Sequence, residues 1–237
     1  MVLLGKTGSG KSATGNTILG RKAFEVVDFM KSANKLCEKQ GGVVDGKHVS
    51  IIDTPGLFNT AMDKQRVKTD KHQLKTEIEK CVEMSSPGPH VFLLVLKLGV
   101  RFTEEEREAV KWIQENFGEE ALRRTIILFT HADLLKGKPV DEYISKSDYL
   151  REIVHSCGGR YHSFNNKDRN NQDQVTQLQK KINSMMKKNE MMHYTFEMFK
   201  TTQMKKEEKW AKTACAVAVG VFPKSNYGHK FCCYSVI

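Results

Sequence analysis

The stretch Gly5-Lys6-Thr7-Gly8-Ser9-Gly10-Lys11-Ser12 decides how the rest of the chain is read. It fits G-x-x-x-x-G-K-[ST], and its flanks fit as well. Residues 1–4 are apolar, as at the end of a buried strand, and residues 13–20 suit a first helix. Glycines let the backbone bend tightly, so that several N–H groups converge on one concavity that holds phosphate oxygens. The helix that follows adds the positive end of its dipole. In such a loop Lys11 reaches the β- and γ-phosphates and the Ser12 hydroxyl ligates Mg²⁺. The predicted phosphate-binding set is therefore Gly5, Lys6, Thr7, Gly8, Ser9, Gly10, Lys11, Ser12 and Ala13. The motif points to a nucleoside triphosphate and leaves base and reaction open.

Working outward, three more motifs follow predicted strands. Residues 43–46 and 49–52 read as two short strands joined near an Asp-Gly turn. The second ends in Asp53-Thr54-Pro55-Gly56, a D-x-x-G pattern. There Asp53 holds Mg²⁺ through a water and the Gly56 N–H touches the γ-phosphate. Pro and Gly also make plain turns, so this motif draws its weight from the loop upstream. Residues 125–129 form a buried strand that leads into Thr130-His131-Ala132-Asp133. A carboxylate at Asp133 can accept from both N1–H and the exocyclic amine of guanine, which adenine does not offer. His131 can stack on the base, Ala132 lies between the two, and Asp133 would equally serve to cap a helix. Last, Phe164-Asn165-Asn166-Lys167 follows the strand at 161–164. Asn165 would brace the guanine edge or hold the loop that does.

Between these motifs the chain alternates strand and helix. Residues 21–40 read as a loop, and 63–83 as one helix with a narrow apolar stripe. Residues 90–96 are a continuous apolar run suited to a central parallel strand. Thr103-Glu104-Glu105-Glu106 is a capping box that opens a helix to about Phe117. Two short helical patterns occupy 134–160, and residues from about Gln172 to 212 read as one or two helices. The expected fold is α/β: a doubly wound, mostly parallel sheet with ligands at the carboxyl ends of its strands.

Composition sets outer bounds. The chain has 237 residues, 39% hydrophobic and 28% charged, with a net charge of +10. That suits one α/β domain plus an appendage. Much of the positive excess lies in Lys180-Lys181, Lys187-Lys188 and Lys205-Lys206. Such charge is either a solvated helix face or an approach to an anionic surface. No apolar run approaches the ~18 residues of a membrane span. The six cysteines lack the spacing of a zinc site. With no leader read at the start, reduced thiols in a cytoplasmic compartment are expected.

Taken together, residues 5–20, Asp53-Thr-Pro-Gly-Leu-Phe58, the block 90–117 with Leu98-Gly-Val-Arg-Phe-Thr-Glu-Glu-Glu-Arg107, and Tyr161-His-Ser-Phe-Asn-Asn166 resemble the GIMAP proteins, GTPases of immunity-associated proteins with an AIG-type G domain. The resemblance covers about residues 1–190. It implies a P-loop NTPase with a Ras-like sheet, GTP or GDP as ligand, Mg²⁺, self-association through the nucleotide face, and slow hydrolysis in isolated protomers. The residues support slow hydrolysis independently: Leu57 stands where Ras-type enzymes carry the Gln that orients the attacking water. Arg101, in the signature block, is the candidate arginine finger acting across a dimer, with Lys11 as the other catalytic group. This sequence departs from the family in several places. Asn34 stands at the position of a switch I Thr and is the remaining metal candidate. Val26 replaces a Ser, and His131-Ala132-Asp133 replaces R-K-D or H-K-D. A few further strand residues are expected upstream of the first strand, since little precedes Gly5.

The expected domains are a G domain at 1–190, a helical extension at 191–212 and a poorly ordered tail at 213–237. The extension is methionine-rich, which suits either packing or adaptable partner contacts. Expected partners are a second copy through the nucleotide face, a family member as hetero-dimer, and a membrane surface reached through the basic C-terminal part. Nucleic acid is not expected. The location expected is cytoplasmic, with a peripheral position on an intracellular membrane. The alternative to a slow, dimer-stimulated GTPase is an oligomeric scaffold that reads nucleotide state and hydrolyses GTP negligibly.

Overall fold

Strands β4 (Phe92–Lys97) and β5 (Thr125–Thr130) are apolar at nearly every position because both their faces are covered. The structure is a computed structural model that describes residues 1–26, 36–56, 76, 79–100, 104–168 and 171–218, with the backbone alone at 104–109 and 214–218. The remaining strands are β1 (Val2–Leu4), β2 (Glu38–Val44), β3 (Lys47–Asp53) and β6 (Tyr161–Phe164). Together they form one sheet in the order β2-β3-β1-β4-β5-β6. All neighbours are parallel except the β2–β3 hairpin, which turns at Asp45-Gly46. The register places Thr130 at the end of β5 beside Phe164 at the end of β6.

Helices α1 (Lys11–Leu19) and α6 (Asp173–Lys188) cover one face. Their Ile18, Val175, Leu178 and Ile182 pack on Leu3, Leu93, Val95, Ile126 and Leu128. The other face meets α2 (Glu104–Phe117), α3 (Glu119–Arg123), α4 (Val140–Ser145) and α5 (Asp148–Ser156). There Val110, Ile113, Phe117, Leu150 and Ile153 pack on Leu4, Phe92, Leu94, Ile127 and Phe129. Side chains of one strand thus alternate between two apolar layers, as strand geometry requires.

The last helix, α7 (Phe196–Ala218), adds to the second layer. Phe199 and the preceding Tyr194 are buried in the same cluster as β4. The Tyr194 hydroxyl donates to the Phe117 carbonyl at 2.7 Å, and its ring meets those of Phe92 and Phe117 edge-on. The methionines divide between roles: Met185 is buried, whereas Met191, Met192 and Met204 are exposed.

Two sequence expectations change. The loop expected at 21–40 gives way to strand from Glu38 onward, because all seven residues of β2 pair with β3 through their backbones. Of the one or two helices read over 172–212, the structure has two, α6 and α7. Cys37 and Cys81, expected as thiols, are joined by a disulfide, since the chain brings their Cα atoms to 5.9 Å, within bonding range. Among the described residues Cys157 is free and buried. Of the helix expected at 63–83, residues 76 and 79–83 are described and helical. Asn34, Leu57, Arg101 and Thr103 lie outside the described residues, as do Cys232 and Cys233.

Candidate functional site

The site begins where β1 ends. Gly8 and Gly10 have φ of 77° and 97°, which side chains rarely adopt, and Gly10 forms the N-cap of α1. The loop from Gly5 to Ser12 therefore wraps around the start of a helix, with Ser9 N–H donating to Lys6 and Thr14 N–H to Gly10. The Lys11 ammonium donates to the Gly5 and Lys6 carbonyls at 2.9 and 3.0 Å, so it lies across the loop. The Ala13 carbonyl accepts from Thr17 inside α1. Thr7 and Ser9 are buried, and the Ser9 hydroxyl has no hydrogen-bond partner among the described residues.

The strand next to β1 delivers the metal candidate. β3 ends at Asp53, which accepts from the Ser12 hydroxyl at 2.6 Å. Thr54 donates to the Leu3 carbonyl at 2.7 Å and so pins this turn to β1. Gly56 sits so tightly against the loop that a Cβ there would lie 1.9 Å from Thr7 Oγ1. Two hard oxygen groups and the loop glycines are thus in one place, the donor chemistry that Mg²⁺ with phosphate oxygens requires. Among the described residues no three His, Cys, Asp or Glu side chains group into a metal site of their own.

The far side is built from β5 and β6. Thr130 donates to the Ser9 carbonyl at 2.7 Å, tying the end of β5 to the phosphate loop. His131 is left-handed, with φ of 61°, and opens a 3-10 turn at Ala132–Leu135 that presents Asp133. Burial and then Lys97 lower the His131 pKa, which keeps the ring neutral at physiological pH. Its Nδ1 lies 3.0 Å from Thr130 Oγ1. Asp133 Oδ2 accepts from the Lys167 ammonium at 2.6 Å, whereas Oδ1 is buried and has no hydrogen-bond partner among the described residues. The bond from Lys167 holds the carboxyl below its ordinary pKa.

Asn165 has a different position from Asn166. Its Oδ1 accepts from the Lys167 N–H at 3.1 Å, and its own N–H donates to Gln174 at 2.9 Å, so it shapes the turn after β6. Asn166 instead reaches α1, accepting from Thr17 at 2.8 Å and donating to Thr14 at 3.2 Å. The predicted residues from Gly5 to Ala13 adjoin Asp53 and Gly56, and His131, Ala132 and Asp133 adjoin Asn165. Lys167, Asn166, Thr130 and Thr54 were not singled out by sequence reasoning. Their common signal is position: each lies at or just beyond the carboxyl end of a strand that carries a motif.

The AIG1 family model matches residues 1–214. The human GTPase IMAP family member 8 is 40% identical over 195 residues, covering 80% of this chain and 28% of that relative. The chain therefore spans less than a third of that relative's length. Among solved structures, Arabidopsis thaliana Toc33 in complex with Mg²⁺ and GMPPNP is 25% identical, with a TM-score of 0.53 over 71% of this chain and 70% of that one. Another Toc33-type chain, from work describing dimerization as important for the GTPase activity of chloroplast translocon components, is 23% identical, with a TM-score of 0.61 over 78% and 81%. A phosphate loop after an inner strand of a six-stranded sheet, motif-bearing turns at the carboxyl ends of its neighbours and a family match over nine-tenths of the length lead to one statement: the chain belongs to the AIG1 family.

Proposed function

We propose that this chain binds GTP or GDP together with Mg²⁺, associates with itself in the GTP state, and hydrolyses GTP slowly, at a rate raised by dimerisation. The observation that carries the reading is that the phosphate loop and a carboxylate with one buried, open oxygen stand at the same end of the sheet. Ser12 and Asp53 meet at 2.6 Å on one side, and on the other Asp133 keeps one buried oxygen without a hydrogen-bond partner among the described residues. In this reading the loop from Gly5 to Ala13 and Gly56 hold the phosphates. Ser12 and Asp53 hold Mg²⁺, Asp53 through a water, and Asn34 is the remaining metal candidate. His131, Ala132, Asp133 and Asn165 form the base side. Lys11 stabilises charge on the phosphates, and Arg101 supplies the charge that Leu57 cannot, from a second protomer. Bound Mg²⁺ would neutralise the charge that develops on the phosphate oxygens.

The partner reading rests on the same face, and Toc33-type chains that dimerise share the fold. A family member is the alternative second subunit. Peripheral contact with an intracellular membrane from the cytoplasmic side belongs to the same proposal. It is supported by exposed Trp210, Lys205, Lys209 and Lys212 on α7. Among the described residues no helix is long and apolar enough to cross a membrane.

The test is titration of fluorescent GDP and ADP with Mg²⁺ and again with EDTA. GDP binding tighter than ADP binding, and weakened by EDTA, is expected. Equal affinities would overturn the base assignment. Turnover measured against protein concentration then separates the two forms of the reading. A steep rise supports a dimer-completed GTPase, and a flat, near-zero line alongside GTP-dependent dimers supports the scaffold.

A further inference from the structure

The base box of this chain, Thr130-His131-Ala132-Asp133, has no lysine. The structure brings one in from elsewhere. β5 and β6 are parallel neighbours, with Thr130 in register with Phe164. Asp133 lies three residues beyond Thr130, and Lys167 three residues beyond Phe164. The two strand ends thus deliver a carboxylate and an ammonium to one point, although 34 residues separate them along the chain. The ion pair closes at 2.6 Å on Oδ2, and the other carboxylate oxygen stays buried with no hydrogen-bond partner among the described residues.

We propose that Lys167 is a positioning residue for base recognition: it fixes Asp133 by one oxygen, so that the buried second oxygen meets a purine carrying adjacent N–H groups. The inference rests on the guanine reading given above. An unpartnered buried carboxylate oxygen is costly unless a donor reaches it, and guanine N1–H and its 2-amino group are donors spaced for a carboxylate. A freely rotating Asp133 would have to be ordered at each binding event, and Lys167 removes that ordering. The turn that carries Lys167 is itself fixed, because Asn165 Oδ1 accepts the Lys167 N–H and Asn165 N–H donates to Gln174. Lys167 also keeps the carboxylate ionised, as an acceptor must be. The lysine side chain is 73% exposed, so its removal leaves the core intact.

The experiment measures GDP, IDP and ADP binding with Mg²⁺ in the wild type, Lys167→Ala, Lys167→Arg, Asp133→Ala and the double variant. IDP lacks the 2-amino group, and ADP serves as the phosphate-only control. Lys167→Ala should weaken GDP about fivefold, the upper range for an exposed pair. It should narrow the GDP-to-IDP ratio, leave ADP unchanged and be rescued by Lys167→Arg. In the Asp133→Ala background, Lys167→Ala should add nothing. Equal losses for GDP and ADP, or additive losses in the double variant, would overturn the proposal. Unchanged GDP affinity in Lys167→Ala, with the wild type still guanine-selective, would overturn the lysine's role alone. A wild type that does not prefer GDP to ADP would remove the guanine reading itself.

Discussion

On the phosphate side, residues 5–12 are fixed by their own backbone turns and by Lys11 folding onto the carbonyls of Gly5 and Lys6. On the base side, Asp133 and Lys167 arrive from two separate strand ends and meet through a partly exposed ion pair. The first half is local and needs one contiguous stretch. The second exists only once β5 and β6 have paired. Exposed ion pairs contribute little by themselves, so under the proposed function the base side would set selectivity with small energies, whereas the phosphate side would supply most of the affinity. Thr130 and Asn166 join the halves, the former bonded to Ser9 and the latter to Thr14 and Thr17.

The largest expected effect breaks the phosphate side. Lys11→Ala should weaken GDP and ADP alike, on the order of a hundredfold, by removing a charged donor to phosphate. A loss confined to GDP in equilibrium titration would show that the halves are not separable. Asp133→Asn should lower GDP affinity about fiftyfold, because an amide offers one acceptor and a donor where the carboxylate offered two acceptors. XDP, with a carbonyl in place of the 2-amino group, should then bind better than GDP. Failure of that exchange would place the base elsewhere.

A pH effect comes next. His162 on β6 is buried, its Nε2 lies 2.8 Å from the Gln174 carbonyl, and burial lowers its pKa from 6.5 to about 4. A depressed histidine pKa means that the unfolded chain binds the proton more tightly. The contribution is complete above about pH 6.5 and is lost as pH falls toward 4, amounting to about 2 kcal/mol by pH 5. Thermal melts from pH 7 to 5 should show this slope in the wild type and a flatter one in His162→Gln. The smallest effect is at the bridge. Asn166→Ala removes the bonds to Thr14 and Thr17 and should cost about 1 kcal/mol of stability. GDP and ADP should weaken together, a few-fold, and a GDP-only loss would assign Asn166 to the base side instead.

The same contrast explains what could be read from the residues. The phosphate loop, Asp53-Thr54-Pro55-Gly56 and the apolar runs that become β4 and β5 were legible because each is contiguous and its residue types are demanded by geometry or by burial on both faces. The beginning of β2 was not, because Glu38-Lys39-Gln40-Gly41-Gly42 has no apolar alternation and is held by backbone pairing to β3. Lys167 was hidden because its meaning depends on register: Thr130 must stand beside Phe164 before the two side chains meet. The cysteine pair was hidden for a related reason. Cys37 precedes β2, Cys81 lies on the short helical segment beyond it, and no spacing rule connects them.

That cross-link changes the reference against which this protein's stability is measured. Cys37 and Cys81 are 44 residues apart, and the bond closes a covalent ring that contains β2, β3 and Asp53. A denatured chain carrying such a ring has fewer conformations than an open one, which favours the folded form by about 4 kcal/mol on chain-entropy grounds. It also exposes less new surface, so a urea transition of the oxidised protein should be shallower as well as later. Samples handled with and without reductant therefore unfold to two different ends, and it is the ring holding Asp53 that distinguishes them.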